Sequence, residues 1–268
     1  MAFFFNKERK KASNFEKMIS FVPMKTTALL LWSLLTSLSL FAQTNEEEEH
    51  THTFVYGLNF NTNGGTIGGA NLRFSQIVRP RWYRTIGLEV VAIKHPQEKR
   101  VIGASASSFI FGKQNYLYSI RPLYGFDYLI FKKAPEESVQ VTANFAVGPS
   151  FGIEIPYYIV VQKKIGTQFV QTTQPYNYTQ PISEIQSVGA LFAGLSQAKI
   201  IPGFFVKAGI SLEFGEFRNN LTGIEVGFTS EFFSRAPNIL APEATNSTLR
   251  NKQYMLGAYL TLFLGSRR

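Results

Sequence analysis

Between Ser138 and Ile155 the chain alternates without a break. Val139, Val141, Ala143, Phe145, Val147, Pro149, Phe151, Ile153 and Ile155 fall on one parity, and Ser138, Gln140, Thr142, Asn144, Ala146, Gly148, Ser150, Gly152 and Glu154 on the other. A period of two places successive side chains on opposite faces of a β-strand. Strands of globular proteins average about five or six residues, so one of this length is unusual. A strand that crosses a bilayer needs about 9–11 residues and often projects beyond it.

The pattern recurs along the chain. In 116–130 Tyr116, Tyr118, Ile120, Pro122, Tyr124, Phe126, Tyr128 and Ile130 alternate with Ser119, Arg121, Gly125 and Asp127. In 204–215 Val206, Ala208, Ile210, Leu212 and Phe214 oppose Lys207, Gly209, Ser211 and Glu213, and in 222–232 Ile224, Val226, Phe228 and Phe232 oppose Gly223, Glu225, Gly227 and Glu231. Leu256 to Leu264 put leucines on one face and Gly257, Tyr259 and Thr261 on the other. Near the start, Phe54, Tyr56, Leu58 and Phe60 oppose Gly57, Asn59 and Asn61. Strands at about 67–77 and 83–94 turn Asn71, Arg73, Ser75 and Glu89 to the polar face. These segments make eight strands, an even number, as a closed antiparallel barrel requires. Closure matters because an open sheet edge cannot survive in hydrocarbon.

The connections sort by length. Those near Arg79–Arg81, Lys132–Glu137 and Glu216–Asn220 are short, whereas 95–114, 156–199 and 236–250 are long. Only the Asn63-Gly64-Gly65 hairpin is short on the long-loop side. Short turns on one side and long loops on the other are the asymmetry of transmembrane barrels. The fold class expected is therefore all-β: an up-and-down, eight-stranded transmembrane β-barrel spanning 53–268. Ile182, Ile185, Val188, Phe192 and Leu195 recur at helical spacing, which predicts a short helix in the 156–199 loop.

Upstream lies an export signal. Residues 24–43 read MKTTALLLWSLLTSLSLFAQ, with Lys25 as a basic start, Ala28 to Leu40 as an apolar stretch and Ala42 as a small residue at the cleavage point. Residues 1–23 either extend the basic region or precede the true start at Met24. Residues 44–52, with Glu46 to Glu49, read as an acidic periplasmic tail. Both chain termini then lie in the periplasm and the protein in the outer membrane. Of the formal charge of +9, residues 1–43 carry six Lys/Arg against two Asp/Glu, which leaves +5 for the rest. Those basic residues are scattered, which argues against a nucleic-acid partner. Cysteine is absent, so disulfides and thiolate metal sites are excluded.

The polar face carries Arg73, Glu89, Arg121, Asp127, Glu154, Lys207, Glu213, Glu225 and Glu231. Side chains fill the interior of an eight-stranded barrel, and buried charges must pair. An internal ion-pair network is the expectation, with Arg121 and Lys207 as its basic hubs, and a proton or ion path is the lesser one. His95 lies in the same loop as Ser105, Ser107 and Ser108, a weak pattern for a rim lipid hydrolase. No His, Asp or Glu pair has metal-ligand spacing, and the Gly64, Gly65, Gly68, Gly69 cluster fits hairpin geometry better than a phosphate cradle. No enzymatic activity, metal or cofactor is expected. In the 156–199 loop, Tyr157, Tyr158, Tyr176, Tyr178 and Phe192 are candidates for holding a partner.

FGKQNYLYSIRPLYG (Phe111 to Gly125), IIPGFFVKAGISLEFG (Ile200 to Gly215), the LFLGSRR end and the FAQ signal junction resemble a Bacteroidota family of small outer-membrane β-barrels. The resemblance covers about Phe54 to Arg268 and implies location and fold, with no catalytic residues to carry over. Tyr259 and Phe263 resemble a barrel-assembly signal, although the chain ends Arg267-Arg268 and not in an aromatic. The expected role is a structural or accessory subunit of an outer-membrane complex for protein or lipopolysaccharide assembly or export. Outer-membrane lipids and another outer-membrane complex are its expected partners. A small passive pore and an adhesin-like surface barrel are the alternatives.

Overall fold

The computed structural model describes residues 52–132, 139–165, 167–214, 220–241 and 251–267. The expected export signal, the expected acidic tail up to Thr51, most of two short turns and part of the last long loop lie outside the described residues. Eight long strands close into one antiparallel barrel. They are β1 (His52–Asn61), β2 (Gly65–Arg79), β3 (Trp82–Ile93), β6 (Asn115–Phe131), β7 (Gln140–Pro156), β11 (Lys199–Phe214), β12 (Asn220–Phe233) and β13 (Tyr254–Arg267). Each pairs with its neighbours along the chain, and β1 closes the ring against β13, with Thr53 opposite Arg267. All eight expected strands are present with the expected parity.

Five shorter strands belong to the loops. β4 (Arg100–Ile102) and β5 (Ser108–Ile110) form a hairpin, and β8 (Tyr158–Ile165), β9 (Gln168–Pro175) and β10 (Ile185–Val188) form a sheet in the order β10-β8-β9. All of these lie at the end of the barrel opposite the two termini, because connections after odd-numbered barrel staves emerge on one side only.

The helix expected across Ile182 to Leu195 does not form. Ile185–Val188 is a strand, flanked by single 3-10 turns at Ile182–Glu184 and Leu195–Gln197. Ile185 pairs with Val161 and Val188 with Ile159. A segment this short gains little as an isolated helix. Gly189 and Gly194 weaken it further, and β8 offers β-branched Ile185 and Val188 a ladder that suits them.

The alternation sorts the barrel wall. Phe54, Tyr56, Leu58, Ile86, Leu88, Phe145, Phe204, Phe228, Leu256 and Leu262 are among the large apolar side chains exposed on the outside. Inside, bulky aromatics fit against inward glycines. A β-carbon at Gly227 would lie 2.8 Å from the Tyr259 hydroxyl, and one at Gly209 closer still. Only glycine at these two positions leaves the Tyr259 ring its place in the lumen.

The interior is layered. At the loop end Val91, Ile93, Leu117, Ile201, Phe233 and Ile239 form an apolar plug. Near the termini Val55, Leu221 and Phe263 form a second apolar cluster. The charged side chains occupy the space between. The exterior is an apolar belt and every wall strand is paired on both sides, which is what a membrane demands of strands that cross it.

Candidate functional site: a filled lumen beneath a loop-built cap

The middle layer is a continuous chain of alternating charge. Arg121, on β6, stands opposite Glu89 of β3 in register, and its Nη1 donates to Glu89 Oε1 at 2.9 Å. Its Nη2 and Nε reach Glu231 at 2.5 and 3.3 Å. Lys207 Nζ bridges Glu89 Oε2 at 2.8 Å and Glu225 Oε1 at 3.3 Å. Arg73 Nη1 closes on Glu225 Oε2 at 2.6 Å. The order is Glu231, Arg121, Glu89, Lys207, Glu225, Arg73: three carboxylates, three cations and no net charge. Neutral hydroxyls complete it, Ser119 donating to Glu231 at 2.5 Å and Tyr259 to Glu225 at 2.8 Å. The cations also sit over rings, Lys207 Nζ 4.1 Å from the centre of Tyr259 and Arg121 5.6 Å from Phe205.

Burial explains this arrangement. Glu89 is 1% exposed and Glu225 is fully covered. An isolated ion in such a place is prohibitively costly, so Arg121, Glu89, Lys207 and Glu225 are each held between two charges of opposite sign, and the end members Glu231 and Arg73 each meet one. Parity alone brings these residues to one face, while the register across five strands chooses the partners.

The other sequence candidates separate from that chain. Asp127 sits lower, accepting from Thr85 at 2.5 Å, Asn144 at 2.8 Å and Ser75 at 3.3 Å. Glu213 binds Arg267 near the termini, where Gln140 also donates to it at 3.3 Å. Glu154 lies at the mouth, held by Arg235 at 2.5 and 3.2 Å and by the backbone N–H of Asn238 at 2.6 Å. Arg73, Thr85, Leu123, Asp127, Asn144, Ala146, Lys207 and Glu225 line a void of about 10 Å³, room for roughly one water molecule. Sequence reasoning missed Arg235, Arg267, Ser119 and Tyr259 as partners. Inward parity marked Ser119 and Tyr259 as luminal, but nothing in the sequence linked Arg235 to Glu154.

Above the mouth the loops build a cap with its own core of Phe109, Tyr157, Ile159, Val161, Tyr176 and Ile185. The segment after β12 folds back into the barrel: Ile239, Leu240 and Ala241 are fully buried, and Asn251 clamps Leu240 through its backbone oxygen and N–H. Lys113 is buried beside Glu98 at 2.7 Å, beneath which its ammonium lies 4.7 Å from the Tyr116 ring centre. Burial pushes the Lys113 pKa below the ordinary lysine value despite the opposing pull of Glu98.

The five aromatic candidates of this loop divide. Tyr157 and Tyr176 are buried inside the cap, where their hydroxyls accept the N–H groups of Ile110 at 3.1 Å and Gly112 at 3.3 Å. Burial pushes both phenols above the usual tyrosine range. Tyr178 packs against that core and Tyr158 is half-buried. Phe192 is exposed and leans on Tyr118 with ring centres 6.3 Å apart. β9 pairs with β8 on one side, and its other edge is not paired among the described residues. Its residues Gln168–Gln174 carry no charge, and Phe169 is well exposed.

Two of the residues that suggested lipid hydrolysis are otherwise engaged. His95 is buried and its Nδ1 accepts the Gln97 N–H at 3.2 Å, while Ser105 donates to the Gln186 carbonyl. Among the described residues, no group of three or more His, Asp or Glu could hold a metal ion.

No family model matches the chain, and no curated protein matches it. Among solved structures it is similar to Neisserial surface protein A, at 9% identity and a TM-score of 0.36, over 81% of this chain and 96% of that one. It is also similar to Ail, the attachment invasion locus protein of Yersinia pestis, solved with the heparin analogue sucrose octasulfate, at 8% identity and a TM-score of 0.34, over 82% and 100% of the two chains. The same protein in a phospholipid bilayer nanodisc gives 11% and 0.35, over 82% of this chain and 100% of that one. At these scores the likeness carries no functional argument, and the assignment of the chain as a closed eight-stranded barrel rests on its own strand pairing.

Proposed function

We propose that this chain is an outer-membrane barrel that serves as a structural or accessory subunit of a larger outer-membrane assembly, one handling protein or lipopolysaccharide. Its termini face the periplasm and its cap faces outward. One observation carries the reading: the lumen is filled by a neutral ion-pair chain under an apolar plug, while the long loops fold into an ordered cap. A barrel so filled is a poor conduit and a good anchor. The export signal and the apolar outer belt support the location. The edge of β9 that is unpaired among the described residues is where the cap offers backbone donors and acceptors to a partner.

Purification in mild detergent at native expression tests the proposal. A stoichiometric partner that leaves when β9 is disrupted by Thr172→Pro would support it, and a clean monomer would sink it. A passive pore predicts step conductance from the refolded barrel in planar bilayers, whereas the proposal predicts none.

A further inference from the structure

The cap does not sit wholly above the barrel. Ile155 points outward from β7 by parity, yet it is only 3% exposed, so loop residues lap over the outer wall there. The backbone N–H of Gly189 donates to the Tyr158 carbonyl at 2.8 Å. A β-carbon at Gly194 would lie 2.8 Å from the Pro156 carbonyl oxygen, which shows how closely this segment follows the end of β7. Phe192 rests on Tyr118. Tyr118 pairs with Ile153, and Ile153 with Ile200, so these three outward side chains share one rung across β6, β7 and β11.

What this segment displays is uncharged and, over 190–195, apolar. From Ile185 to Ala198 the sequence IQSVGALFAGLSQA contains no charged residue. Leu191, Phe192 and Leu195 are 47%, 56% and 56% exposed, and Ile200 on the rung beside them is 66% exposed. Adjoining large apolar side chains left open in this way mark a contact surface.

The height of the rung identifies the contact. Tyr116 packs against the cap core, and below it, from Tyr118 to Tyr128, outward-facing residues run for ten steps along β6. At about 3.3 Å per residue and a tilt of about 40–45°, this covers roughly 25 Å along the membrane normal, the height of the apolar belt of a transmembrane barrel. The Tyr118 rung is therefore the upper edge of the belt, and the 190–195 segment continues that belt with no polar side chain. We propose that Leu191, Phe192 and Leu195 form a wedge that lies in the membrane interface against the acyl chains of the outer leaflet, anchoring the cap to the bilayer on the β6, β7 and β11 side. This rests on the membrane reading above. It assigns the patch to lipid and leaves the β9 edge for protein.

The chain has no cysteine, so single nitroxide labels can be placed at will. Leu191→Cys, Phe192→Cys and Leu195→Cys are each labelled in the refolded mature chain, in phosphatidylcholine vesicles. Val226→Cys, in the middle of the belt, and Thr173→Cys, on β9, serve as references. Collision with oxygen is compared with collision with a water-soluble nickel chelate. The wedge labels are expected to favour oxygen several-fold more than Thr173 does, approaching Val226. Wedge labels that match Thr173 would overturn the inference. Labels shielded from both reagents would also overturn it, in favour of a protein contact or a second copy. If Val226 itself collides mainly with the nickel chelate, the membrane reading fails along with the wedge.

Discussion

Glu89 is the joint of the luminal network, and its neutralisation by Glu89→Gln is the sharpest perturbation the structure offers. Its carboxylate meets Arg121 at 2.9 Å and Lys207 at 2.8 Å. With charge centres near 4 Å and an effective dielectric of about 20, each contact is worth about 4 kcal/mol. Removing the charge also relieves its own desolvation, a penalty of several kcal/mol per ion. The difference leaves a net loss of about 3–5 kcal/mol, in line with what breaking a buried pair ordinarily costs. Lys207→Met should cost about the same, because it strands Glu89 and Glu225 with one cation fewer. The double variant is different. It leaves Arg121 on Glu231 and Arg73 on Glu225, two complete pairs with no net charge. Its expected loss is about 0–2 kcal/mol, against roughly 6–10 if the single effects simply added. Urea-driven unfolding from phospholipid vesicles reads these values, and a chain starting at Thr44 retains one tryptophan, Trp82, as the reporter. A shift of 4 kcal/mol changes the folding equilibrium about a thousandfold, well within reach. The reasoning is refuted if Glu89→Gln stays within about 1 kcal/mol of the native chain. It is equally refuted if the double variant is as unstable as the sum, since either result would mean the lumen is wet enough to screen its charges.

Gly209→Ala drives a methyl group into the Tyr259 hydroxyl and is expected to destabilise the barrel by about 1–3 kcal/mol. The same urea titration measures this, and Tyr259→Phe in the same chain should recover part of the loss. In the cap, Tyr157→Phe removes the acceptor of the Ile110 N–H and should cost about 1 kcal/mol. Tyr157→Ala should expose the 156–199 loop to protease while the barrel band stays heat-modifiable on a gel. Lys113 gives the cap a pH dependence. Because its folded pKa lies below the ordinary value of 10.5, the unfolded cap binds more protons between the two values, and cap stability should rise with pH in that window. Protease resistance of the loops should therefore increase as the pH rises from 8 towards 9 in the native chain and stay flat in Lys113→Met. The buried phenols of Tyr157 and Tyr176 oppose this as the pH approaches 10, where unfolded tyrosine ionises.

Most of the barrel could be read from the sequence because its physics is local. A strand between lipid and a crowded lumen must alternate, so Tyr118 and Arg121 declare their faces by parity alone. Connection lengths then sorted the two ends. The helix expected at Ile182 to Leu195 failed for the opposite reason. Its apolar spacing suited a helix, but a strand 24 positions earlier at Val161 offered Ile185 a better partner. Parity likewise put Glu89, Arg121, Lys207 and Glu225 in the lumen without saying which would touch, and it gave no hint that Arg235 would return to Glu154.

The sequence by itself determined the number of strands, their facing and the identity of the charges that had to be neutralised, since each depends on neighbours two residues away. Only the tertiary structure decided the pairing of those charges, the burial of Tyr157 and Tyr176 inside the cap, and the exposure of Phe192 at the edge of the belt. Those outcomes depend on register around a closed ring and on loops meeting from distant parts of the chain. Register is a global property of the barrel, fixed when β1 meets β13, and no local pattern encodes it.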